Sequence, residues 1–242
     1  MDNYMNRMVQ PQFLPAPCSH LKWAIIVLLF LSVSFIGCNR KPPSDDTLAV
    51  NNETNPKSSK IIVALGDSLT AGLGVDETQT YPAQLEQKLV TNGHAIRVIN
   101  AGISGETSSG TLSRIQWVIS SLKPDMVILV IGANDGMRGI DTALLSRNLD
   151  NMITTLKENN IKVLLGGMQM LPNLGPVYAR EFEQVYPKMA HTHHVMLIPF
   201  FLEGVGGENK FNQSDGIHPT AEGYSIIANH IYPYVLEVVD EK

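Results

Sequence analysis

The chain has 242 residues, 44% hydrophobic and 17% charged, with Lys+Arg 18 against Asp+Glu 23 and a formal net charge of -5; this fits one sizeable domain with appendages and excludes disorder throughout. The acidic balance offers no basic field for gripping nucleic acid or a membrane surface. Both cysteines, Cys18 and Cys38, precede the foldable part, so neither a disulfide framework nor a cysteine-based metal site is available there.

In chain order, the first feature is the uncharged, mostly apolar run from Trp23 to Gly37, preceded by Lys22 and followed by Cys38-Asn39-Arg40-Lys41. It is shorter than the roughly 20 residues a spanning helix needs and fits a secretory apolar region. Its Phe-Ile-Gly-Cys ending resembles a bacterial lipoprotein signal, in which Cys38 becomes the lipidated first residue; a plain cleaved signal or an uncleaved anchor is the alternative. Residues 1–38 are therefore expected to be a leader that exports the chain to the periplasm as a membrane-anchored lipoprotein, and Asn39, not aspartate, favours the outer membrane. The segment before Lys22 is a poor charged n-region, and a start at Leu21 leaves an opening of normal signal shape. Residues 39–59 are polar, with Pro42-Pro43 and Asp45-Asp46, and read as a flexible tether. Residues 60–242 then form one domain.

Within that domain, Ile61–Leu65 and Met126–Ile131 are continuous apolar runs ending in glycine, as expected of parallel strands buried on both faces. Weaker strands are predicted at Ile96–Ile99, Ile161–Leu165 and Val195–Ile198. Helical spacing links Leu85 and Leu89; Leu112, Ile115, Ile119 and Leu122; Leu145, Leu149, Met152, Ile153 and Leu156; and Tyr224, Ile227, Ile231 and Val235. Five strands alternating with five helices predict a three-layer α/β/α sandwich with a five-stranded parallel sheet, flavodoxin-like, whose site lies beyond the carboxyl ends of the strands.

Polar residues at those exits carry the chemistry. The first exit, Gly66-Asp67-Ser68-Leu69-Thr70, presents Ser68 on a tight turn as a nucleophile or as a helix cap. At the second, Asn100 to Thr107, the Gly102 amide either faces a developing negative charge or belongs to an ordinary turn. At the third, Gly132-Ala133-Asn134-Asp135, Asn134 either projects its amide over the mouth or stabilises the turn. Asp215-Gly216-Ile217-His218 lets a carboxylate orient an imidazole whose other nitrogen faces a serine, two metal ligands or a surface turn being the bland readings. His191-Thr192-His193-His194 falls at the amino end of a strand, the wrong edge for the site, and reads as a solvated helix end.

With Gly-Asp-Ser-Leu at 66–69, Gly102, Gly-x-Asn-Asp at 132–135 and Asp-x-x-His at 215–218 in this order, the domain resembles the SGNH hydrolases of the GDSL family. Within the family it is most similar to the bacterial thioesterase, lysophospholipase and arylesterase branch. The resemblance implies Ser68 as nucleophile, His218 as general base and then acid, and Asp215 as its orienting partner. It further implies an oxyanion hole built from the Ser68 N–H, the Gly102 N–H and the Asn134 amide, with no metal and no cofactor.

The apolar segment Met168 to Tyr178 either caps the core or lines an acyl groove, and the resemblance favours the groove, with Ile103, Met170, Leu171 and Pro172 as its expected walls. The expected substrates are small-molecule acyl esters and thioesters of short to medium chain, including lysophospholipids. A carbohydrate acetyl esterase is the competing enzyme reading, although Trp117 is the domain's single tryptophan and falls on a helix. A non-catalytic tethered binding module is the non-enzymatic alternative.

Overall fold

A computed structural model describes residues 59–170 and 172–241, with nothing specified for the side chain of Pro172. The leader, Cys38, the alternative start at Leu21, residues 39–58 of the tether and Leu171 lie outside the described residues. Five strands form one sheet: β1 (Lys60–Gly66), β2 (Ile96–Gly102), β3 (Met126–Val130), β4 (Lys162–Gly166) and β5 (Met196–Ile198). All pairings are parallel and the spatial order is β2-β1-β3-β4-β5. The strands are apolar because both faces are covered: every residue of β3 is buried, as are Ile62 to Leu65 of β1.

The long helices are α2 (Tyr81–Thr91), α3 (Ser108–Trp117, continued by a π turn to Leu122), α5 (Thr142–Glu158), α6 (Pro176–His193) and α7 (Ala221–Asp240). α2 packs on α7, whereas α5 packs between α3 and α6, which gives a helical layer on each face of the sheet. The expected sandwich is what the chain forms. The amphipathic spacing of α5 buries Leu145, Leu149, Met152, Ile153 and Leu156.

Two helices are additional to the five expected: α1 (Ser68–Ala71) and α4 (Ala133–Met137), both at strand exits. Each is too short to show a period, so the sequence reads there as turns. α1 exists because the Asp67 side chain accepts the Leu69 N–H at 3.0 Å, and Gly72 ends it in the left-handed conformation. β2 continues beyond the expected Ile99, since Asn100, Ala101 and Gly102 pair with Ala64, Leu65 and Gly66. The outer edge of β2 is partly covered by Glu86, which accepts the Val98 N–H at 2.5 Å.

The chain direction reverses its lateral path at β1, with β2 on one side and β3 on the other. That junction is the topological switch point where such sheets open a crevice. Ser68 follows β1 and Asn134 follows β3, so the fold sets these two exits side by side.

Candidate active site

Ser68 is the first residue of α1, and its Oγ lies 2.9 Å from Nε2 of His218. His218 comes from the loop before α7, and its Nδ1 lies 2.7 Å from Oδ2 of Asp215. The other oxygen of Asp215, Oδ1, accepts the backbone N–H groups of Ile217 at 2.9 Å and His218 at 3.0 Å. These bonds, with that from His218 first, hold the Asp215 carboxyl well below the usual carboxylate range. Its side chain is 44% exposed against 15% for His218, so solvent screens the pair on one side. Both ring nitrogens of His218 are engaged, one by a carboxylate and one by a hydroxyl.

The nucleophile turn is built on buried groups. Asp67 is buried, and its Oδ2 accepts from Nδ2 of Asn134 at 3.3 Å while Oδ1 caps α1. Burial pushes its carboxyl up to about 6 against the opposing effect of these hydrogen bonds. Three buried tyrosines support the floor: the Tyr81 hydroxyl meets Thr70 Oγ1 at 3.3 Å, Tyr186 donates to the Ile131 carbonyl at 2.9 Å, and Tyr224 reaches the Ser68 carbonyl at 3.5 Å. Burial raises all three phenol pKa values, so they stay neutral donors.

Asn134 carries two amide N–H groups, and Asp67 takes one of them. Arg138 Nη2 approaches the Asn134 Oδ1 at 3.5 Å and donates to the Gly105 carbonyl at 2.9 Å. The Ser68 N–H has no protein acceptor among the described residues. Gly102 departs from its expected role: its N–H donates to Oδ1 of Asn100 at 3.0 Å. A Cβ there would lie 2.2 Å from the Ala71 nitrogen, so this glycine serves the close approach of α1 to β2. Gly105, three residues on, has φ +78, and among the described residues no protein group accepts its N–H.

A partly buried ion pair fastens the same corner. Arg114 binds Glu106 through Nε at 2.7 Å and Nη2 at 2.6 Å, and donates to the Ala101 carbonyl at 2.8 Å. On α4, Asp135 accepts the Ser108 N–H at 2.8 Å and the Ser108 hydroxyl at 2.5 Å, tying α4 to the start of α3.

Of the expected groove residues, Ile103 is half exposed beside the site, and Met170 is partly buried. The Met170 Sδ lies 2.6 Å from where a Gly136 Cβ would stand, so the exits of β3 and β4 touch there. Trp117 ends α3, which begins near the mouth at Ser108 and runs away from it. The histidine cluster ends α6 at the amino side of β5; His193 is not simply solvated, because its Nε2 lies 2.8 Å from Oδ1 of Asp150. Among the described residues no group of three or more His, Cys, Asp or Glu is placed to hold a metal ion.

The profile of the GDSL-like Lipase/Acylhydrolase family matches residues 64–226. Esterase TesA of Pseudomonas aeruginosa is 39% identical over 180 residues, 74% of this chain and 90% of that protein. An arylesterase of Vibrio mimicus is 35% identical over 72% of this chain and 88% of its own length. Thioesterase 1/protease 1/lysophospholipase L1 of Escherichia coli K12 is 34% identical over 69% of this chain and 79% of its own. The crystal structure of TesA superposes with a TM-score of 0.72 at 39% identity, covering 74% of this chain and 99% of that one. The solved TesA chain thus consists almost wholly of the matched region. The chain belongs to the GDSL-like lipase/acylhydrolase family.

Proposed function

We propose that the domain hydrolyses small acyl esters and thioesters through a serine nucleophile. The observation that carries this reading is the 2.9 Å contact from Ser68 Oγ to an imidazole whose other nitrogen is held by Asp215. His218 Nε2 takes the Ser68 proton as Oγ attacks the acyl carbon, and the carbonyl π pair moves onto its oxygen. On collapse, the alkoxide or thiolate leaves with the proton from Nε2–H. Water then attacks the acyl-enzyme with the same base, and Ser68 regains its proton.

The oxyanion is held by the Ser68 N–H and by the Asn134 N–H not bound to Asp67. Gly105 supplies the third donor in place of Gly102, supported by the engagement of the Gly102 N–H with Asn100. Ile103 and Met170 line the acyl side. The relatives' names, esterase, arylesterase and thioesterase/lysophospholipase, support acyl esters, thioesters and lysophospholipids as the substrate classes; a short to medium acyl chain is part of the proposal.

The leader reading belongs to the same proposal: residues 1–38 direct export, Cys38 is acylated, and residues 39–59 tether the domain to the periplasmic face of a membrane. Incorporation of labelled palmitate into the full chain, lost in Cys38→Ala, tests that part.

The test of the activity is hydrolysis of nitrophenyl esters from acetyl to palmitoyl by the wild type and by Ser68→Ala. Ser68-dependent turnover peaking at medium chains is expected, with the variant lower by at least about 10³. Turnover confined to acetyl esters moves the assignment to a carbohydrate esterase, and turnover that survives Ser68→Ala overturns the mechanism.

A further inference from the structure

Among the described residues, eight large apolar side chains are conspicuously exposed, and six of them surround one place: Leu73, Ile103, Met137, Leu174, Val177 and Ile217. They are 44–57% exposed. They come from five different segments: the exits of β1, β2, β3 and β4, and the loop carrying Asp215 and His218. Hydrogen bonds link these segments one to the next beside Ser68. Gln213 Nε2 donates to the Leu73 carbonyl at 2.7 Å, and the Ile103 N–H to the Gly66 carbonyl at 3.0 Å. Arg138 joins β3's exit to Gly105, and the Tyr178 hydroxyl joins the start of α6 to the Ile140 carbonyl at 2.7 Å.

One acyl chain lies in one groove and cannot cover side chains carried by five separate segments of the mouth. A lipid surface can, because it meets every loop tip at once. We propose that this rim is a docking surface for an uncharged or zwitterionic lipid leaflet, set so that the mouth opens directly onto its substrate. The inference rests on the acyl-hydrolase reading.

Charge selects the kind of surface. Segments 72–76, 103–107, 137–141, 173–178 and 213–218 contain no lysine, and Arg138 is their one arginine. Of their four carboxylates, Glu106 is paired with Arg114 and Asp215 is hydrogen-bonded to His218, while among the described residues Asp76 and Asp141 have no ion pair. A rim without a cationic cluster gains little from anionic lipid and binds through apolar insertion.

The chain preceding β1 permits the orientation. Residues 39–58 enter the domain at Lys60, the sheet end opposite the mouth. Twenty residues reach at most about 70 Å, whereas a domain of this size is about 40 Å across. The domain can therefore turn its mouth to the leaflet that would hold Cys38.

The test compares residues 39–242 with the double variant Leu73→Ser, Met137→Ser in three measurements: sedimentation with phosphatidylcholine vesicles, turnover of lysophosphatidylcholine in those vesicles, and kcat/KM for a water-soluble nitrophenyl ester. The expected result is vesicle binding that resists salt and falls at least tenfold in the variant, with vesicle turnover falling in parallel and the soluble-ester kcat/KM unchanged. Absence of vesicle binding by the unmodified domain, or equal binding by the variant, overturns the proposal. Binding only to phosphatidylglycerol vesicles also overturns it, as does a dimer in ultracentrifugation that the variant abolishes. Failure of the hydrolase reading is separate, and shows as no Ser68-dependent turnover of the soluble ester whatever the vesicle result.

Discussion

Nδ2 of Asn134 donates to Oδ2 of Asp67 at 3.3 Å, and this bond determines which end of the Asn134 amide faces the nucleophile. Because the acceptor is a carboxylate with no proton to give, the neighbouring group must be the NH2, which leaves its second N–H for the substrate oxygen. Asp67→Asn places an amide beside an amide and removes that instruction. We expect kcat to fall by roughly 10²–10³, close to the loss of an oxyanion donor itself, with KM little changed. Retention of wild-type kcat would show that the Asn134 orientation is set elsewhere.

The same carboxyl gives the fold a pH dependence of unusual sign. Its pKa is about 6 in the folded protein against 3.8 for the ordinary group, so the folded state binds the proton more tightly. Stability from this group is therefore present below about pH 4 and is lost as pH rises through 6, by at most on the order of 3 kcal/mol. Melting temperatures of the wild type and Asp67→Asn should be compared from pH 4 to 8. The wild type is expected to lose up to about 6–12 °C relative to the variant across that window, and a constant difference would rule the effect out.

Asp215→Asn tests the base. Two backbone N–H groups bind Oδ1, so an asparagine would keep its oxygen there and turn its NH2 toward His218. That NH2 donates to Nδ1, drives the ring proton to Nε2, and leaves nothing to accept the Ser68 proton. A fall in kcat of about 10⁴ is expected, with the melting temperature nearly preserved. Because the Asp215 carboxyl is held low, the acid limb of kcat/KM in the wild type should not follow its titration.

The two glycines of the β2 exit should respond differently. Gly102→Ala drives a methyl into the backbone of α1, 2.2 Å from the Ala71 nitrogen, and should cost about 3 kcal/mol or more together with activity. At Gly105 the nearest atom to an added Cβ is Arg138 Nη2 at 3.8 Å, so Gly105→Ala should cost about 1 kcal/mol, from its left-handed backbone alone. Thermal unfolding measures both, and a wild-type melting temperature for Gly102→Ala would refute its packing role.

Arg114→Met leaves Glu106 partly buried without its cation and frees the Ala101 carbonyl. Loss of one partner should cost about 3 kcal/mol and lower the melting temperature by about 6–12 °C. Restoration by Arg114→Lys should be incomplete, since an ammonium cannot repeat the two-pronged contact.

What could be read from the sequence divides along physical lines. β3 was legible because a strand buried on both faces must be apolar throughout, and α5 because one face of a long helix repeats. Ser68, Asp215 and His218 stand in short motifs whose spacing already constrains their geometry. Asp67 lies in the same motif as Ser68, yet its partner Asn134 is 67 residues away, and nothing local announces the bond. Arg138 meets the Gly105 carbonyl across 33 residues, and its side chain looks in sequence like any exposed arginine. Gly102 and Gly105 are equivalent on paper; packing against α1 and the competing Asn100 side chain separate them. The short helices α1 and α4 depend on caps and tertiary anchors, not on periodicity.

Ser68 and His218 meet across 150 residues of chain. The nucleophile stands on α1, directly after β1, and its base on the loop before α7, so the pair forms only once the sheet between them has been assembled. A chain that has not yet folded carries a serine without its base and is inert toward the esters around it. Any unfolding that draws residues 215–218 away from α1 returns the protein to that inert state.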